Sequence, residues 1–286
     1  MKRLLKNRYL IITIIIFIAS FIYSTGKEEK SFYRKDGEMR VHFIDVGEGD
    51  SAFIEFPDGK TMLVDAGERD KGETVLKHIK KCGAEKIDFL IGTHPHSDHI
   101  GGLEHIVRNM EIGSVYMPKV THNTATFESL LLSIKEKSLK INPVYAGDII
   151  YETEDAMVKV LSPTEEEYSN LNNYSVILEI KYGDTAFLLT GDAEAEILDE
   201  IYAKDIDVLK VPHQGAISSL SEVFLDRTSP GVAVISVGGR NQYGHPHDAT
   251  IDAYKKRSIS IFRTDENGTI TAVSDGLKVT VKGEKE

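Results

Sequence analysis

The chain of 286 residues is poor in cysteine and in positive charge. Its one cysteine, Cys82, excludes an intrachain disulfide and has no cysteine partner for a sulfur-rich metal site, so we expect a packed, inert thiol. The 34 lysines and arginines are outnumbered by 45 acidic residues, which gives a formal net charge of −11. Because proteins that grip nucleic-acid backbones carry a basic footprint, any contact with DNA or RNA must depend on a local patch or on bound cations.

Long apolar runs are also absent, except for residues 9–23 near the N-terminus. Those 15 residues suit the apolar region of a signal peptide and fall short of the roughly 20 that a spanning helix needs. Lysines and arginines precede the run, which predicts that the rest of the chain lies outside the cytoplasm. We therefore expect a signal peptide or membrane anchor helix over residues 1–26 and a polar linker over residues 27–38. A single domain over residues 39–286 would then be secreted, or anchored to the cell membrane through residues 9–23.

The remainder of the sequence predicts an α/β domain. Short strands separated by glycine turns cover residues 40–65, followed by a helix over residues 72–82 and an apolar strand over residues 87–92. A helix is predicted over residues 99–109, and the pattern restarts with a hairpin across residues 183–184. Two such halves favour two sheets packed face to face with helices outside, a four-layer αββα sandwich.

Three histidines and one aspartate lie within six residues, directly after the apolar strand: His94, His96, Asp98 and His99. Imidazole nitrogens and carboxylate oxygens are the ligands that a zinc-like cation prefers, and a catalytic site leaves one coordination position open. In an extended loop, residues two apart project to the same side, so His94, His96 and Asp98 can converge while His99 points to a neighbouring position. The segment therefore predicts ligands for two metal ions.

The second half of the chain repeats this pattern of an apolar strand followed by a metal-binding residue type. Asp192 follows one strand and is predicted to bridge two cations, although an ordinary helix N-cap would explain it equally well. His213 follows another strand and is predicted as a ligand, and His245 is predicted to contact the metal ligands or the substrate. His247 is predicted either to contact substrate or to cap the following helix. Four further histidines carry no motif and are expected to be structural or surface residues: His42, His78, His105 and His122.

The order and spacing of six residues resemble those of metallo-β-lactamase-fold hydrolases: His94, His96, Asp98, His99, Asp192 and His213. More narrowly, five segments resemble the hydrolase domain of the ComEC-type DNA-uptake competence proteins: residues 43–51, 63–67, 172–175, 189–193 and 243–247. The resemblance runs from about residue 39 to the C-terminus and does not include the polytopic channel of those proteins. It predicts a metallo-β-lactamase-like hydrolase domain in a stand-alone relative.

The resemblance also implies a set of site roles. His94 and His96 would hold one divalent ion, Asp98, His99 and His213 would hold a second, and Asp192 would bridge them. Asn172 is the counterpart of a third histidine found in the wider superfamily and would lie at the substrate. The sequence departs from the competence-type pattern at Gln214 and Ala216, where a histidine and a serine are usual, which predicts a weaker first metal site.

The function implied by the resemblance is an extracytoplasmic phosphodiesterase that uses two divalent ions, Zn or Mn, with DNA as a possible substrate. Asp98 would orient the attacking water, and His245 would donate to a phosphate oxygen or to the leaving group. Other enzyme hypotheses are a phosphorylcholine or teichoic-acid esterase and a lactonase-type or β-lactam hydrolase. A binding module that keeps the fold without turnover is the non-enzymatic alternative. The candidate contacts to a nucleic-acid backbone are Lys210, Arg240 and residues 255–257.

Overall fold

The computed structural model of the protein describes residues 37–285. The predicted signal peptide or anchor and nearly all of the predicted linker lie outside these residues. Over the described range, no helix is both long and apolar enough to cross a bilayer.

Strands and helices alternate along the described chain in two similar halves. The strands are β1 (Met39–Phe43), β2 (Ala52–Glu55), β3 (Thr61–Val64), β4 (Lys86–Ile91), β5 (Glu111–Met117), β6 (Ile141–Pro143), β7 (Ile149–Glu152), β8 (Ala156–Ser162), β9 (Ile177–Tyr182), β10 (Thr185–Leu189), β11 (Val208–Lys210), β12 (Val232–Ile235), β13 (Ser260–Arg263), β14 (Ile270–Ser274) and β15 (Val279–Gly283). The α-helices are α1 (Gly72–Lys81), α2 (Ser97–Ile100), α3 (Leu103–Asn109), α4 (Ala125–Glu136), α5 (Ala195–Glu200), α6 (Glu222–Thr228), α7 (Asp248–Lys256) and α8 (Thr264–Asn267).

Two mixed sheets are built from these strands. The first has the order β15-β14-β1-β2-β3-β4-β5-β6, antiparallel as far as β3 and parallel from β3 to β6. The second has the order β13-β12-β11-β10-β9-β8-β7, with parallel pairs from β13 to β10 and antiparallel pairs beyond. The predicted pair of β-then-α halves is therefore confirmed, as is the hairpin across residues 183–184.

Three apolar clusters define the layers. One lies between the sheets and contains Phe43 and Leu178. A second joins the first sheet to α1, α3 and α4 through residues such as Ile79, and a third joins the second sheet to α5, α6 and α7 through residues such as Phe224. Because burial of one large apolar side chain contributes about 1.5–3 kcal/mol, these clusters together hold the predicted four layers in place.

The helix predicted over residues 99–109 is two short helices, α2 and α3, separated by Gly101 and Gly102. A Cβ on Gly101 would lie 2.5 Å from the Arg69 nitrogen, and one on Gly102 would lie 2.3 Å from the Ala66 oxygen. The backbone after β3 packs directly on these glycines, and the Ala66 amide donates to the His99 carbonyl at 2.8 Å. The break between α2 and α3 thus allows the loop after β3 to contact the histidine-rich loop directly.

Parallel strands place the ends of several loops at one edge of the molecule. The loops after β3 and β4 start at neighbouring positions of the first sheet, and those after β10, β11 and β12 start at neighbouring positions of the second. The carboxyl ends of adjacent parallel strands open on the same side, where α/β folds place their ligand sites. The residues predicted to carry chemistry lie in these loops, except Asn172, which lies between β8 and β9.

Candidate metal centre

His94 and His96 form the first group of potential ligands. His94 is buried and follows β4, and its Nε2 lies 3.0 Å from Nδ1 of the partly buried His96. Two nitrogens that bind one tetrahedral zinc ion are about 3.3 Å apart, so this pair already has nearly the separation that a shared ion requires. Burial, followed by the charge of His99, holds the pKa of His94 well below its usual value, which keeps the imidazole neutral.

Asp98, His99, Asp192 and His213 form the second group. The Nε2 of His99 lies 3.2 Å from Asp192 Oδ2 and 3.6 Å from Asp98 Oδ2. The Nε2 of His213 lies 3.7 Å from the same Asp192 oxygen. These separations are close to the ligand-to-ligand distances around a single tetrahedral or five-coordinate cation.

Asp192 lies beside both groups. One nitrogen of His94, one of His99 and one oxygen of Asp192 are all within 4.8 Å of one another. The N-cap of α5 is Glu194, so helix capping does not account for Asp192, whose own amide donates to Ser175 Oγ at 3.0 Å. The carboxylate is therefore in position to share a cation with each group.

Two carboxylates, the buried Asp65 and the partly buried Glu194, orient two of the imidazoles. Asp65 Oδ2 lies 2.9 Å from Nδ1 of His99, and Glu194 Oε1 lies 3.2 Å from Nδ1 of His213. An imidazole that donates its Nδ1 proton to a carboxylate presents the Nε2 lone pair to a metal ion. Neither carboxylate was assigned a role from the sequence, although residues 63–67 contributed to the family resemblance.

The electrostatics of the cluster favour a bound cation. Burial by itself would raise the pKa of Asp192, but the charges of His99 and His213 hold it well below its usual value. Burial by itself would lower the pKa of His99, yet the charges of Asp192 and Asp98 hold this pKa well above its usual value. Among the described residues, His99 Nε2 and Asp192 Oδ1 are buried without an aligned hydrogen-bond partner, and such atoms are costly unless something binds them. The donor set therefore fits a divalent ion of the zinc type.

A cleft of about 360 Å³ opens in front of these ligands. Among the residues that line it are Asn172 and His245, two of the predicted substrate contacts. Asn172 Nδ2 donates to Glu194 Oε1 at 2.8 Å, and the His245 ring lies 5.5 Å from the ring of His213. Burial and the neighbouring His213 lower the pKa of His245, so its ring is neutral and has one N–H to donate.

His247 was predicted to contact substrate. Its ring lies 5.0 Å from the ring of His245, and His247 is not among the residues that line the cleft. Its Nδ1 accepts a hydrogen bond from the Ile217 amide at 3.2 Å. It stands at the N-cap of α7, but its side chain makes no capping hydrogen bond. His247 thus contacts His245 and the Ile217 backbone, and it can stabilise the loop that carries His245.

Gln214, one of the two departures from the competence-type pattern, reaches the second ligand group. Its Nε2 donates to Asp98 Oδ2 at 3.0 Å. Both His213 and Gln214 have left-handed backbone conformations, with φ of 47° and 54°, which turn the two side chains toward the cleft. Through this hydrogen bond the Gln214 amide nitrogen, which cannot itself bind a cation, orients the Asp98 carboxylate.

Three charged residues near the cleft were missed or misread from the sequence. Glu48 lines the cleft, and burial, together with the nearby carboxylates, raises its pKa to about 6. Lys210 is buried, pairs with Asp50 and donates to the Gly191 carbonyl at 3.1 Å. The prediction that Lys210 contacts a nucleic-acid backbone is therefore wrong, because its ammonium group is buried and pairs with Asp50.

The fold agrees with comparisons to known proteins. A family model of the metallo-beta-lactamase superfamily matches residues 44–240, and the chain belongs to that superfamily. The solved structure of YhfI from Bacillus subtilis, a metallo-beta-lactamase fold protein, superposes with a TM-score of 0.55 at 14% identity, covering 84% of this chain and all of that one. At this identity the likeness concerns the fold alone.

The predicted resemblance to competence proteins is confirmed at the sequence level. The chain is 33% identical over 254 residues to ComE operon protein 3 of Bacillus subtilis, covering 82% of this chain and 33% of that protein. It is 27% identical over 242 residues to Recombination protein 2 of Haemophilus influenzae, covering 81% of this chain and 28% of that protein. The chain thus spans about a third of the length of these curated relatives.

Proposed function

We propose that the protein is a phosphodiesterase that works with two divalent metal ions, Zn or Mn. The observation that carries this proposal is the arrangement of two adjacent ligand groups with Asp192 beside both. His94 and His96 would hold one ion, and Asp98, His99 and His213 the other. A pair of cations about 3.5–4 Å apart, when bound, lowers the pKa of a water and neutralises the charge of a phosphodiester.

The chain's own side chains supply orientation and hydrogen bonds. Asp98 is fixed by Gln214 on one side and faces the cleft on the other, so it can accept a hydrogen bond from the attacking water. His245 lines the cleft with a neutral ring, so an exposed ring N–H of this residue can donate to a phosphate oxygen or to the leaving oxygen. Asn172 also lines the cleft and can donate to the substrate there.

Because the cleft is negatively charged, we expect bound cations to be needed for substrate binding as well as for catalysis. Four carboxylates surround the cleft, those of Glu48, Asp98, Asp192 and Glu194, and no lysine or arginine occurs among the described residues that line it. An anionic phosphodiester would be repelled from such a cleft, whereas two divalent ions would balance these charges. The cleft is therefore suited to one phosphodiester group and not to gripping a long polyanion.

We include DNA in the proposed substrate class because of the similarity to the competence-operon protein. Of the other predicted basic contacts, Arg257 pairs with Glu222 and with Asp226, whereas the exposed Arg240 stays a candidate. A single-stranded or short substrate that reaches the cleft end-on fits this surface better than a duplex does. Phosphorylcholine esters, teichoic-acid fragments and lactones are the competing substrates, and the assay below separates them.

The experiment is hydrolysis of a bis-aryl phosphodiester by the purified protein in Mn²⁺ or Zn²⁺, followed by a panel of single-stranded DNA, duplex DNA, teichoic-acid fragments and lactones. We expect turnover that is lost in Asp98→Ala and in Asp192→Ala and kept in His105→Ala, a change at a histidine that pairs with Glu73 and does not line the cleft. Protein that binds metal but turns over no substrate in the panel would support a binding module instead. Turnover of lactones alone would reassign the substrate class.

We further propose that the domain acts outside the cytoplasm, on the strength of the basic and apolar pattern of residues 1–26. Fractionation of cells that express the full chain, combined with protease added to intact cells stripped of their wall, tests this placement. Recovery of the intact protein from the cytosol, protected from protease, would contradict it.

A further inference from the structure

A second cluster of metal-binding residue types lies on the outer face of the first sheet, away from the cleft. His78 and Cys82 are four residues apart, on the last turn and at the C-cap of α1, so they face the same side of the helix. His42 projects toward them from β1, which the helix covers. None of the three was predicted to bind a metal.

The donor atoms are close enough to share one ion. One ring nitrogen of His42, one of His78 and the Cys82 sulfur all lie within 4.8 Å of one another. The sulfur lies 3.9 Å from His42 Nε2, and the two histidine rings are 5.0 Å apart and nearly perpendicular. A tetrahedral zinc ion, with bonds of about 2.3 Å to sulfur and about 2.0 Å to nitrogen, places these two kinds of atom about 3.6 Å apart.

A neighbouring carboxylate and an orienting partner are also present. Glu55, on β2, has its Oε2 3.0 Å from His42 Nε2, so its negative charge lies next to the three donor atoms. Thr271 Oγ1 lies 3.1 Å from Nδ1 of His42, so the Nδ1 proton can be donated there while Nε2 faces the cluster. Two neutral imidazoles, a thiolate and a carboxylate would sum with a divalent ion to zero charge, which suits a buried position.

The cluster is accessible from solvent. A groove of about 690 Å³ runs along the edge strands of the first sheet, and both His42 and His78 line it. Cys82 and Glu55 are buried behind the two rings. An ion can therefore reach the site from the groove while the sulfur stays protected from bulk water.

We propose that His42, His78 and Cys82 form a second site for a thiophilic divalent cation such as zinc, separate from the proposed metal centre in the cleft, with water as the fourth ligand and the Glu55 carboxylate beside His42. Binding forms a metal–sulfur bond and releases the thiol proton to water. The bound ion would tie α1 to β1, so its role is to stabilise the first half of the domain. Thiolate and imidazole donors favour zinc over the oxygen-preferring cations Mg²⁺, Ca²⁺ and Mn²⁺.

The single cysteine makes the test specific. The purified full chain is loaded with Co²⁺ and its absorption spectrum recorded, because only a thiolate ligand produces the near-ultraviolet sulfur-to-cobalt charge-transfer band. Since the ligands in the cleft contain no sulfur, the band reports this cluster alone. We expect the band in the wild-type chain and in Asp192→Ala, and its loss in Cys82→Ser.

Affinity and thermal stability supply the second readout. His78→Ala is expected to weaken cobalt binding at this site by about tenfold or more, whereas His105→Ala, on α3, leaves it unchanged. Added Zn²⁺ should raise the melting temperature of Asp192→Ala but not of the double variant with Cys82→Ser. A cobalt-loaded wild-type chain without the charge-transfer band overturns the proposal, and it does so without bearing on phosphodiester hydrolysis in the cleft.

Discussion

The substitution Asp65→Asn tests the orientation of His99, one of the proposed metal ligands, with little change to the rest of the structure. Asp65 has a left-handed backbone with φ of 57°, which asparagine adopts as readily as aspartate, and the two side chains have nearly the same volume. Asp65 Oδ1 accepts from the Thr93 amide at 2.9 Å, and Oδ2 lies 2.6 Å from Thr93 Oγ1 and 2.9 Å from His99 Nδ1. An asparagine keeps the first contact and can satisfy the threonine hydroxyl by donating to it.

The hydrogen bond between residue 65 and His99 Nδ1, however, must reverse its direction. The asparagine Nδ2 is a donor, so His99 Nδ1 must become an acceptor and its proton must move to Nε2. That nitrogen faces Asp192 and is the one that would bind a cation. Loss of such an orienting partner lowers metal affinity by about 10–100-fold, equivalent to about 1.4–2.7 kcal/mol.

The assay is competition for Zn²⁺ between the protein and a chromogenic chelator, with Cys82→Ser as the background so that only the cleft is measured. The matched control is Asp88→Asn, because Asp88 Oδ2 accepts from the Thr61 amide at 3.0 Å but lies on the body of β4, away from the ligands. We expect the control to bind zinc as the background does. If Asp65→Asn in the Cys82→Ser background binds zinc as tightly as Cys82→Ser alone, His99 is not a ligand whose tautomer is set by Asp65.

Three further predictions concern the surroundings of the cleft. Lys210→Met leaves Asp50 buried without its cation and should lower the free energy of unfolding by about 3–5 kcal/mol in urea titrations; a loss below about 1 kcal/mol would contradict the buried pair. Glu48→Gln should stabilise chelator-treated protein by about 1 kcal/mol at pH 7.5, allowing for partial exposure, because the raised pKa of about 6 makes ionised Glu48 unfavourable in the folded state. That gain should vanish at pH 4, where Glu48 is protonated in both states, and a gain that persists at pH 4 would point to another cause. Chelation should abolish binding of a labelled single-stranded oligonucleotide, measured by fluorescence anisotropy, and binding that survives chelation would contradict the anionic character of the cleft.

The sequence predicted the parts of the site that are local in the chain. The residues from His94 to His99 follow one strand, so their grouping needed only the knowledge that the strand ends there. Asp192 and His213 were found because each also follows an apolar strand, and parallel strands bring their ends to one edge. Patterns of this kind describe where loops begin, which composition and periodicity predict well.

Features that depend on packing between distant segments were not predicted. Asp65 was assigned no role because its contact with His99 depends on the close approach of the loop to Gly101, and that glycine also breaks the helix expected there. His42 and Cys82 looked unrelated because they meet only where α1 covers β1. In each case the missing information was a contact between two elements, which hydrophobic periodicity does not encode.

The most direct test of the binuclear centre is a crystal structure of the zinc-loaded protein with anomalous diffraction recorded at the zinc edge. We expect two peaks in the cleft about 3.5–4 Å apart, one against His94 and His96, the other against His99 and His213, with Asp192 touching both. A single peak in the cleft, or none, in crystals grown with excess zinc would contradict it.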